Sequence, residues 1–193
     1  MKCFFKLLYM FLFHPYLFWK YSIRRSSKGF FVNGYIQNIK TDNLILGNNI
    51  RFGSNTRINF YSNNDKNKKN LIIGDNCYFG NRNSFLVGEK IIIGENVLIA
   101  SDVCITSENH QTNPLDKKEY MHQPLVTKSV KIGSGSWIGE KVVILPGVTI
   151  GEKCVIGAGS IVSKNIPSYS IAVGNPAKII KKFDFNLKEW RSV

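Results

Sequence analysis

The chain has 193 residues and a mass of 21.9 kDa, which corresponds to about one domain and excludes a large multidomain machine. With 44% hydrophobic and 20% charged residues, its composition is that of a globular protein and not that of a disordered, collagen-like or polytopic membrane chain. The 26 Lys and Arg residues against 13 Asp and Glu give a formal net charge of +13. This charge favours anionic partners, but it does not choose among nucleic acid, acidic lipid and phosphorylated metabolites.

The first segment, 1–28, is an aromatic and basic arm. Its apolar part, 3–19, is interrupted by Lys6, His14 and Pro15, and as a helix it would reach about 25 Å, short of the ~30 Å hydrocarbon core. The arm has no acidic residue, and its basic residues are Lys2, Lys6, Lys20, Arg24, Arg25 and Lys28. We expect a cytoplasmic protein whose arm lies on the inner face of an anionic membrane. Two alternatives stay open: an arm packed on the protein's own body or on a neighbouring subunit, and a single-pass anchor.

A six-residue repeat determines the predicted fold. Aliphatic residues recur every sixth position at Ile132, Ile138, Ile144, Ile150, Ile156 and Val162. On a helix each would lie 240° from the last, whereas in extended chain an even spacing places all of them on one side. A small or branched residue follows each of the first five by four positions. Each unit is therefore predicted to be a short strand and a turn that glycine permits, with two side chains facing inward.

The same register occurs upstream, so the solenoid is predicted to cover about 45–166. Two segments break the register, 62–70 and 106–129, and insertions into a stack of coils must leave it as loops. Beyond Pro167 the period ends, and 178–191 has the apolar spacing of a short amphipathic helix. The predicted organisation is an arm over 1–28, a solenoid domain over 29–177 with an extruded loop at 106–129, and a capping helix within 178–193.

These repeats resemble those of the hexapeptide acyltransferases, and the carboxy-terminal half resembles their sugar and antibiotic O-acetyltransferase branch. The motifs are Ile93-Gly-Glu-Asn-Val-Leu-Ile-Ala100, Ser107-Glu-Asn-His110, Trp137-Ile-Gly139, Leu145-Pro-Gly-Val-Thr-Ile-Gly151, Ile156-Gly-Ala-Gly-Ser-Ile-Val-Ser-Lys164 and Gly174-Asn-Pro-Ala-Lys178. The resemblance implies an all-β solenoid, a left-handed parallel β-helix, assembled as a homotrimer with active sites between neighbouring subunits. It also implies acetyl-CoA as donor and a saccharide as acceptor.

The resemblance assigns the general base to His110, one of three histidines. Imidazole suits this role because its pKa near 6.5 leaves it mostly neutral at pH 7, able to accept a hydroxyl proton. Glu108 is a candidate to orient that imidazole, although a backbone carbonyl could do the same. His122 could contact the acceptor or simply lie at the protein surface, and the sequence explains both interpretations equally well.

The remaining candidates also come from the resemblance. Asn83, or Asn81 if the alignment shifts by one gap, is expected to contact the acceptor, with a turn-stabilising asparagine as the alternative. For acetyl-CoA, the resemblance places Trp137 and Gly139 at the reactive end, Ala158, Ser163 and Lys164 along the pantetheine arm, and Lys178 and Lys181 at the phosphates. Lysine supplies charge but not the bidentate fork of arginine, which is frequent in the family at the last two positions.

The sequence lacks the motifs of cysteine-based redox sites, metal sites and nucleic-acid-binding modules. The cysteines Cys3, Cys77, Cys104 and Cys154 form no C-x-x-C pair, and Cys77 and Cys154 fall at small-residue positions of the repeat, which favours reduced core cysteines. We expect no metal, since three suitably spaced histidines are missing, and no nucleic-acid partner, since no recognised module is visible.

The sequence thus predicts an acetyl-CoA-dependent O-acetyltransferase that modifies a sugar hydroxyl of a surface polysaccharide (capsule, O-antigen or exopolysaccharide) or its precursor. Transfer to an amino sugar or to serine is the alternative within enzymes. A non-catalytic β-helix scaffold is the alternative from another class.

Overall fold

The computed structural model describes residues 31–32, 36–37, 43–61 and 70–193. The predicted N-terminal helix and most of the 62–70 insertion lie outside these residues. In chain order the strands are β1 (Phe31–Val32), β2 (Ile36–Gln37), β3 (Leu44–Leu46), β4 (Arg51–Phe52), β5 (Thr56–Phe60), β6 (Leu71–Ile73), β7 (Tyr78–Phe79), β8 (Ser84–Val87), β9 (Ile91–Ile93), β10 (Leu98–Ile99), β11 (Cys104–Thr106), β12 (Glu108–His110), β13 (Leu125–Thr127), β14 (Val130–Ile132), β15 (Trp137–Ile138), β16 (Val143–Ile144), β17 (Thr149–Ile150), β18 (Val155–Ile156), β19 (Ile161–Val162), β20 (Ser170–Val173), β21 (Lys178–Asp184) and β22 (Glu189–Ser192).

Successive strands turn around a common axis, and up to β11 each strand stacks on the third strand before it; beyond β11 the hairpin β12–β13 lengthens the interval once. Sheet one has the order β1-β4-β7-β10-β15-β18-β20-β21-β22, sheet two joins β2, β5, β8, β11, β16 and β19, and sheet three joins β3, β6, β9, β14 and β17. Pairing within the coils is parallel, for example Ile138 with Ile99 on one side and with Ile156 on the other. The predicted parallel β-solenoid is therefore confirmed.

The core is the inside of this prism. Both inward positions of the hexapeptides are buried, as in the pairs Ile138 with Val142 and Ile150 with Cys154. Nearer the amino terminus the filling is aromatic, with Phe52 stacked on Phe79 at 4.4 Å between ring centroids and Phe85 edge-on to Phe79. One contiguous apolar column thus supports every coil.

The turns differ from expectation in where glycine is needed. The left-handed backbone angle falls two residues after the repeated glycine, at non-glycine residues such as Asn76, Asn96, Lys141 and Lys153 and at Gly135 and Gly159 in other coils, so this position accepts more than glycine. The glycine itself allows coils to approach closely: a Cβ added at Gly139 would lie 2.6 Å from the amide nitrogen of Ala158 in the next coil. The repeat therefore requires glycine for close packing rather than for its φ angle.

The predicted carboxy-terminal helix is wrong. Residues 178–193 form β21 and β22, which extend sheet one in antiparallel fashion beyond β20. Ile171 pairs with Lys181 whereas Ala172 pairs with Ile179, so Ile180 is an extra residue in a β-bulge. This insertion interrupts the alternation of the strand and gives the apolar residues a spacing that resembles a helix.

Within the described ranges, no helix is long and apolar enough to cross a membrane.

Candidate active site

His110 lies on a hairpin that leaves the coils between β11 and β14. Strands β12 and β13 pair antiparallel, with Glu108 opposite Thr127 and His110 opposite Leu125. Beyond His110, the N–H of Gln111 donates to the carbonyl of Pro124 at 3.0 Å. The histidine is thus held on a paired strand and its position is set by backbone hydrogen bonds.

Ser107 fixes the base of this hairpin. It is fully buried, and its hydroxyl accepts the N–H groups of Gly88 and Glu89, both at 3.1 Å, while donating to the carbonyl of Glu89 at 2.8 Å. Its own carbonyl accepts the N–H of Lys128 at 3.0 Å. One residue therefore joins both ends of the hairpin to the preceding coil. The sequence contains no signal of this role because the partners lie 18 and 19 residues earlier.

Gln123 closes the far part of the loop. Its side-chain oxygen accepts the N–H of Asn113 at 3.0 Å, and its amide donates to the carbonyls of Asn113 at 3.0 Å and Lys118 at 2.9 Å. The side chain is buried although the neighbouring residues are exposed. The loop is therefore an ordered structure built around one amide, which the sequence pattern did not indicate.

A cleft of about 520 Å³ opens between the hairpin and the coils. On the hairpin side it is lined by 109–113, Val126 and Lys128, and on the solenoid side by Leu145, Pro146 and Ser163. His110 is exposed, and in the part of the chain that the structure describes its imidazole has no hydrogen-bond partner. The cleft thus has two basic side chains, His110 and Lys128, among amides, hydroxyls and three apolar residues.

Glu108 and His122 do not join this cleft. Glu108 shares a face of β12 with His110, but no hydrogen bond links the two side chains, and its Cβ packs against the backbone of Gly88. His122 ends a single 3-10 turn, Tyr120–His122, and is exposed. His110 is thus the histidine that faces the cleft among the described residues.

The predicted acetyl-CoA residues fall into two groups, one of which lies on the outer face of sheet one. Trp137 is 51% exposed there, with Leu98 beside it on β10 and Val155 on β18. Continuing across β20, Val155 pairs with Ile171, which pairs with Lys181. Trp137 and Lys181 are therefore three strand spacings apart on one face, about 14 Å.

The bulge at Ile180 brings Lys178 to the same face. Lys178 is opposite Val173 and Lys181 is opposite Ile171, and these two residues of β20 alternate with the buried Ser170 and Ala172. Without the extra residue, Lys178 and Lys181 would be on opposite faces. The bulge in β21 thus places Lys178 and Lys181, both predicted to bind the phosphates, on one face of the sheet.

The second group lies at the turns. Ser163 lines the cleft, and Lys164 follows it as an exposed residue. Ala158 is exposed in the turn after β18, whereas Gly139 is buried against its backbone. The structure therefore brings Ser163 to His110 and gives Gly139 a packing role, while Ala158 is accessible on the adjacent coil.

The two asparagines are bound within the solenoid. Asn83 is 1% exposed; its amide donates to the carbonyl of Gly80 at 2.9 Å and its oxygen accepts the N–H of Val103 at 2.8 Å. The side-chain oxygen of Asn81 accepts the N–H of Ser54 at 2.8 Å. Neither lines the cleft of His110, and these hydrogen bonds match the turn-stabilising alternative.

The thiols have no arrangement for nucleophilic chemistry. Burial raises the pKa of the Cys77, Cys104 and Cys154 thiols above the ordinary value of 9.0, which keeps them protonated near neutral pH. All three are free cysteines. In the described ranges no cluster of three or more His, Cys, Asp or Glu side chains is arranged to hold a metal ion.

Two family models match the coils described above. Residues 129–164 match the bacterial transferase hexapeptide (six repeats), and 70–107 match the hexapeptide repeat of succinyl-transferase. Both matched segments are thus hexapeptide repeats of the kind found in bacterial transferases. This confirms the resemblance inferred from the motifs. A Staphylococcus aureus protein that carries the name of an acetyltransferase is 47% identical to this chain over 119 residues, which are 62% of this chain and 55% of that protein. The chain thus spans just over half the length of the curated relatives it matches.

Solved structures of hexapeptide-repeat transferases share the fold. Galactoside acetyltransferase in complex with coenzyme A is 28% identical, with a TM-score of 0.59 over 95% of this chain and 80% of that chain. A hexapeptide-repeat acetyltransferase of Vibrio cholerae is 27% identical, with a TM-score of 0.56 over 74% of each chain. The fold is therefore one that is known to hold coenzyme A in a relative.

Proposed function

We propose that this protein is an acetyl-CoA-dependent O-acetyltransferase that modifies a sugar hydroxyl of a bacterial surface polysaccharide or its precursor. The observation that carries this proposal is the exposed imidazole of His110, held by a hydrogen-bonded hairpin over a cleft in the solenoid wall. The galactoside acetyltransferase relative, which binds coenzyme A, supports the donor and the acceptor class.

In the proposed reaction His110 acts as general base. The neutral imidazole accepts the proton of the sugar hydroxyl while that oxygen attacks the thioester carbonyl of acetyl-CoA. When the carbon–sulfur bond breaks, the imidazolium returns the proton to the departing thiolate, giving the acetyl ester and free coenzyme A. No covalent enzyme intermediate is needed, and the protonated thiols of the solenoid take no part.

The donor site is proposed to combine both groups of candidate residues. Ser163, Lys164 and Ala158 would line the pantetheine arm, and Trp137 the reactive end. On the outer face of sheet one, Lys178 and Lys181 would attract the phosphates. By resemblance the complete site forms between neighbouring subunits of a homotrimer, so the outer face of one subunit would meet the hairpin of the next.

We further propose that the arm 1–28 holds the enzyme at the inner face of the cytoplasmic membrane, where lipid-linked acceptors are made. Its basic residues without acidic neighbours support this. Replacing Arg24 and Arg25 by Glu should release the protein from anionic vesicles and leave turnover of a soluble acceptor unchanged. Equal sedimentation of both proteins with phosphatidylglycerol vesicles would exclude the membrane role.

The function is tested by incubating purified protein with acetyl-CoA and a panel of sugars, oligosaccharides, amino sugars and serine, measuring free thiol and product mass together. The proposal predicts an acceptor-dependent gain of one acetyl group as a base-labile ester. An amide product would instead identify an N-acetyltransferase. Failure to bind coenzyme A would contradict the transferase and favour the scaffold.

A further inference from the structure

The charge of the cleft points to the kind of acceptor that it takes. Among the described lining residues, the one side chain with a full charge at neutral pH is Lys128, and no carboxylate lines the cleft. The rest are amides, small hydroxyls and apolar groups around His110. A cleft that contains both an unpaired cation and a base is suited to a substrate that carries a negative charge as well as the reacting hydroxyl.

Lys128 is an exposed residue whose backbone and stem, but not its ammonium group, are in contact with the fold. Its backbone N–H donates to the carbonyl of the buried Ser107 at 3.0 Å, which fixes the start of the side chain. Its stem packs over the turn at Gly147, where an added Cβ would lie 3.2 Å from the lysine Cδ. No residue of the described ranges forms an ion pair with Lys128. The stem is thus placed beside the cleft, and the ammonium has no counter-ion among the described residues.

The ammonium and the imidazole can reach the same sugar. His110 and Lys128 both line the cleft. His110 is opposite Leu125 on the hairpin and Lys128 follows Leu125 by three residues, about 10 Å along an extended strand, so the two side chains start from opposite faces of the hairpin. The lysine stem is several ångströms long, so its head group can approach a ring that lies against His110. The nearby Glu108 packs against Gly88, and Asp116, Lys117, Lys118 and Glu119 belong to the far part of the loop, outside the cleft lining.

We propose that Lys128 binds a carboxylate of the acceptor, so that the enzyme acts on acidic sugars. This assignment rests on the proposed O-acetyltransferase function. The donor has no need of this cation, because its phosphates are assigned to Lys178 and Lys181 on sheet one and its pantetheine arm is uncharged. A charge-assisted hydrogen bond from the ammonium orients the ring and presents a neighbouring hydroxyl to His110.

The experiment compares matched acceptors that differ only in the carboxylate: methyl glucuronide with methyl glucoside, and methyl galacturonide with methyl galactoside. Steady-state kinetics are measured for the full chain and for the variants Lys128→Gln, Lys128→Arg and, as a control from the same loop, Lys117→Gln. The preference for the acid, as the ratio of kcat/KM values, should be about tenfold or more in the wild type. It should disappear in Lys128→Gln, mainly through KM, and remain in Lys128→Arg and Lys117→Gln.

The KM for acetyl-CoA and the kcat/KM for the neutral sugars should stay within about twofold in Lys128→Gln, and added salt should reduce the wild-type preference. The assignment is overturned if the wild type prefers the neutral sugars. It is also overturned if Lys128→Gln loses kcat/KM equally for acidic and neutral acceptors, or if its KM for acetyl-CoA rises. Neither result would contradict O-acetylation itself. A protein that acetylates none of the four sugars contradicts the saccharide acceptor itself, and the assignment with it.

Discussion

At the scale of single residues, the position of His110 depends on side chains that do no chemistry. Ser107 satisfies two N–H groups and one carbonyl of the preceding coil and receives the N–H of Lys128 through its own carbonyl. The hairpin therefore starts and ends on one buried serine. The cleft retains its shape only if this junction holds.

Replacing Ser107 by Ala should leave those N–H and carbonyl groups without partners, at a cost of about 2 kcal/mol in the free energy of unfolding. Because the hairpin loses its anchor, kcat/KM for acetylation should fall about tenfold or more while the Kd for acetyl-CoA changes little. Denaturant unfolding and steady-state kinetics measure both. Ser129→Ala, at an exposed position on the same loop, serves as control and should match the wild type; equal behaviour of the two variants would contradict the anchoring role.

The residue-scale candidates were predictable to different degrees. His110 and Ser163 could be named because they lie within short motifs, and they meet in the cleft. Ser107, Gln123 and Lys128 could not be given their roles, because each acts through partners that the fold brings from elsewhere in the chain. For Asn83 the sequence leaves both roles open, because a turn-stabilising residue and an acceptor ligand can both be asparagine; the fold adds its hydrogen bonds to Gly80 and Val103.

At the scale of elements, the loop between β12 and β13 has one buried side chain, the amide of Gln123. Gln123 joins Asn113 and Lys118 by three hydrogen bonds, although most of the loop is exposed. The loop can therefore open locally without disturbing the coils, since regions with few buried contacts unfold at lower free energy than the core.

Gln123→Ala should open this loop without unfolding the protein. We expect trypsin to cut after Lys117 or Lys118 about tenfold faster than in the wild type, with a Tm that changes little. Tyr120→Ala, at an exposed neighbour, is the matched control. Unchanged cleavage in Gln123→Ala would show that the amide does not hold the loop.

The strands also show where a prediction from the six-residue repeat succeeds and where it fails. The hexapeptide strands were predictable because each repeat places its aliphatic and small residues inward without a slip. Residues 178–193 were mistaken for a helix because the bulge residue Ile180 breaks the alternation of β21. The pairing that makes this segment a strand is offered by the free edge of β20, which is a property of the folded stack and not of the local sequence.

At the scale of the whole molecule, the coils form one column of buried side chains with thiols at intervals along it. Burial is the largest cause of the raised pKa of the Cys104 thiol, followed by the opposing effect of Arg57 and a smaller raising effect of Glu108. The folded protein thus binds the thiol proton more tightly than the unfolded chain. The stability from this difference is fully present below the unfolded pKa and is lost as pH rises through the folded pKa.

The free energy of unfolding should therefore decrease as the pH rises above about 9, the ordinary pKa of the thiol. In Cys104→Ala the decrease should be shallower, because one of the contributing protons is gone. Denaturant titrations at neutral and alkaline pH measure the two slopes. Identical slopes in the wild type and the variant would contradict the buried, protonated state of this thiol.

The central claim is that His110 is the base of an acetyl transfer carried out on a β-solenoid wall. It is tested most directly by measuring kcat/KM for His110→Ala beside His122→Ala, with the Kd for acetyl-CoA determined for both. We predict a loss of about 10²–10⁴-fold for His110→Ala with unchanged donor affinity, and a value within about twofold of wild type for His122→Ala. A fully active His110→Ala, or an equal loss in both variants, would contradict the claim.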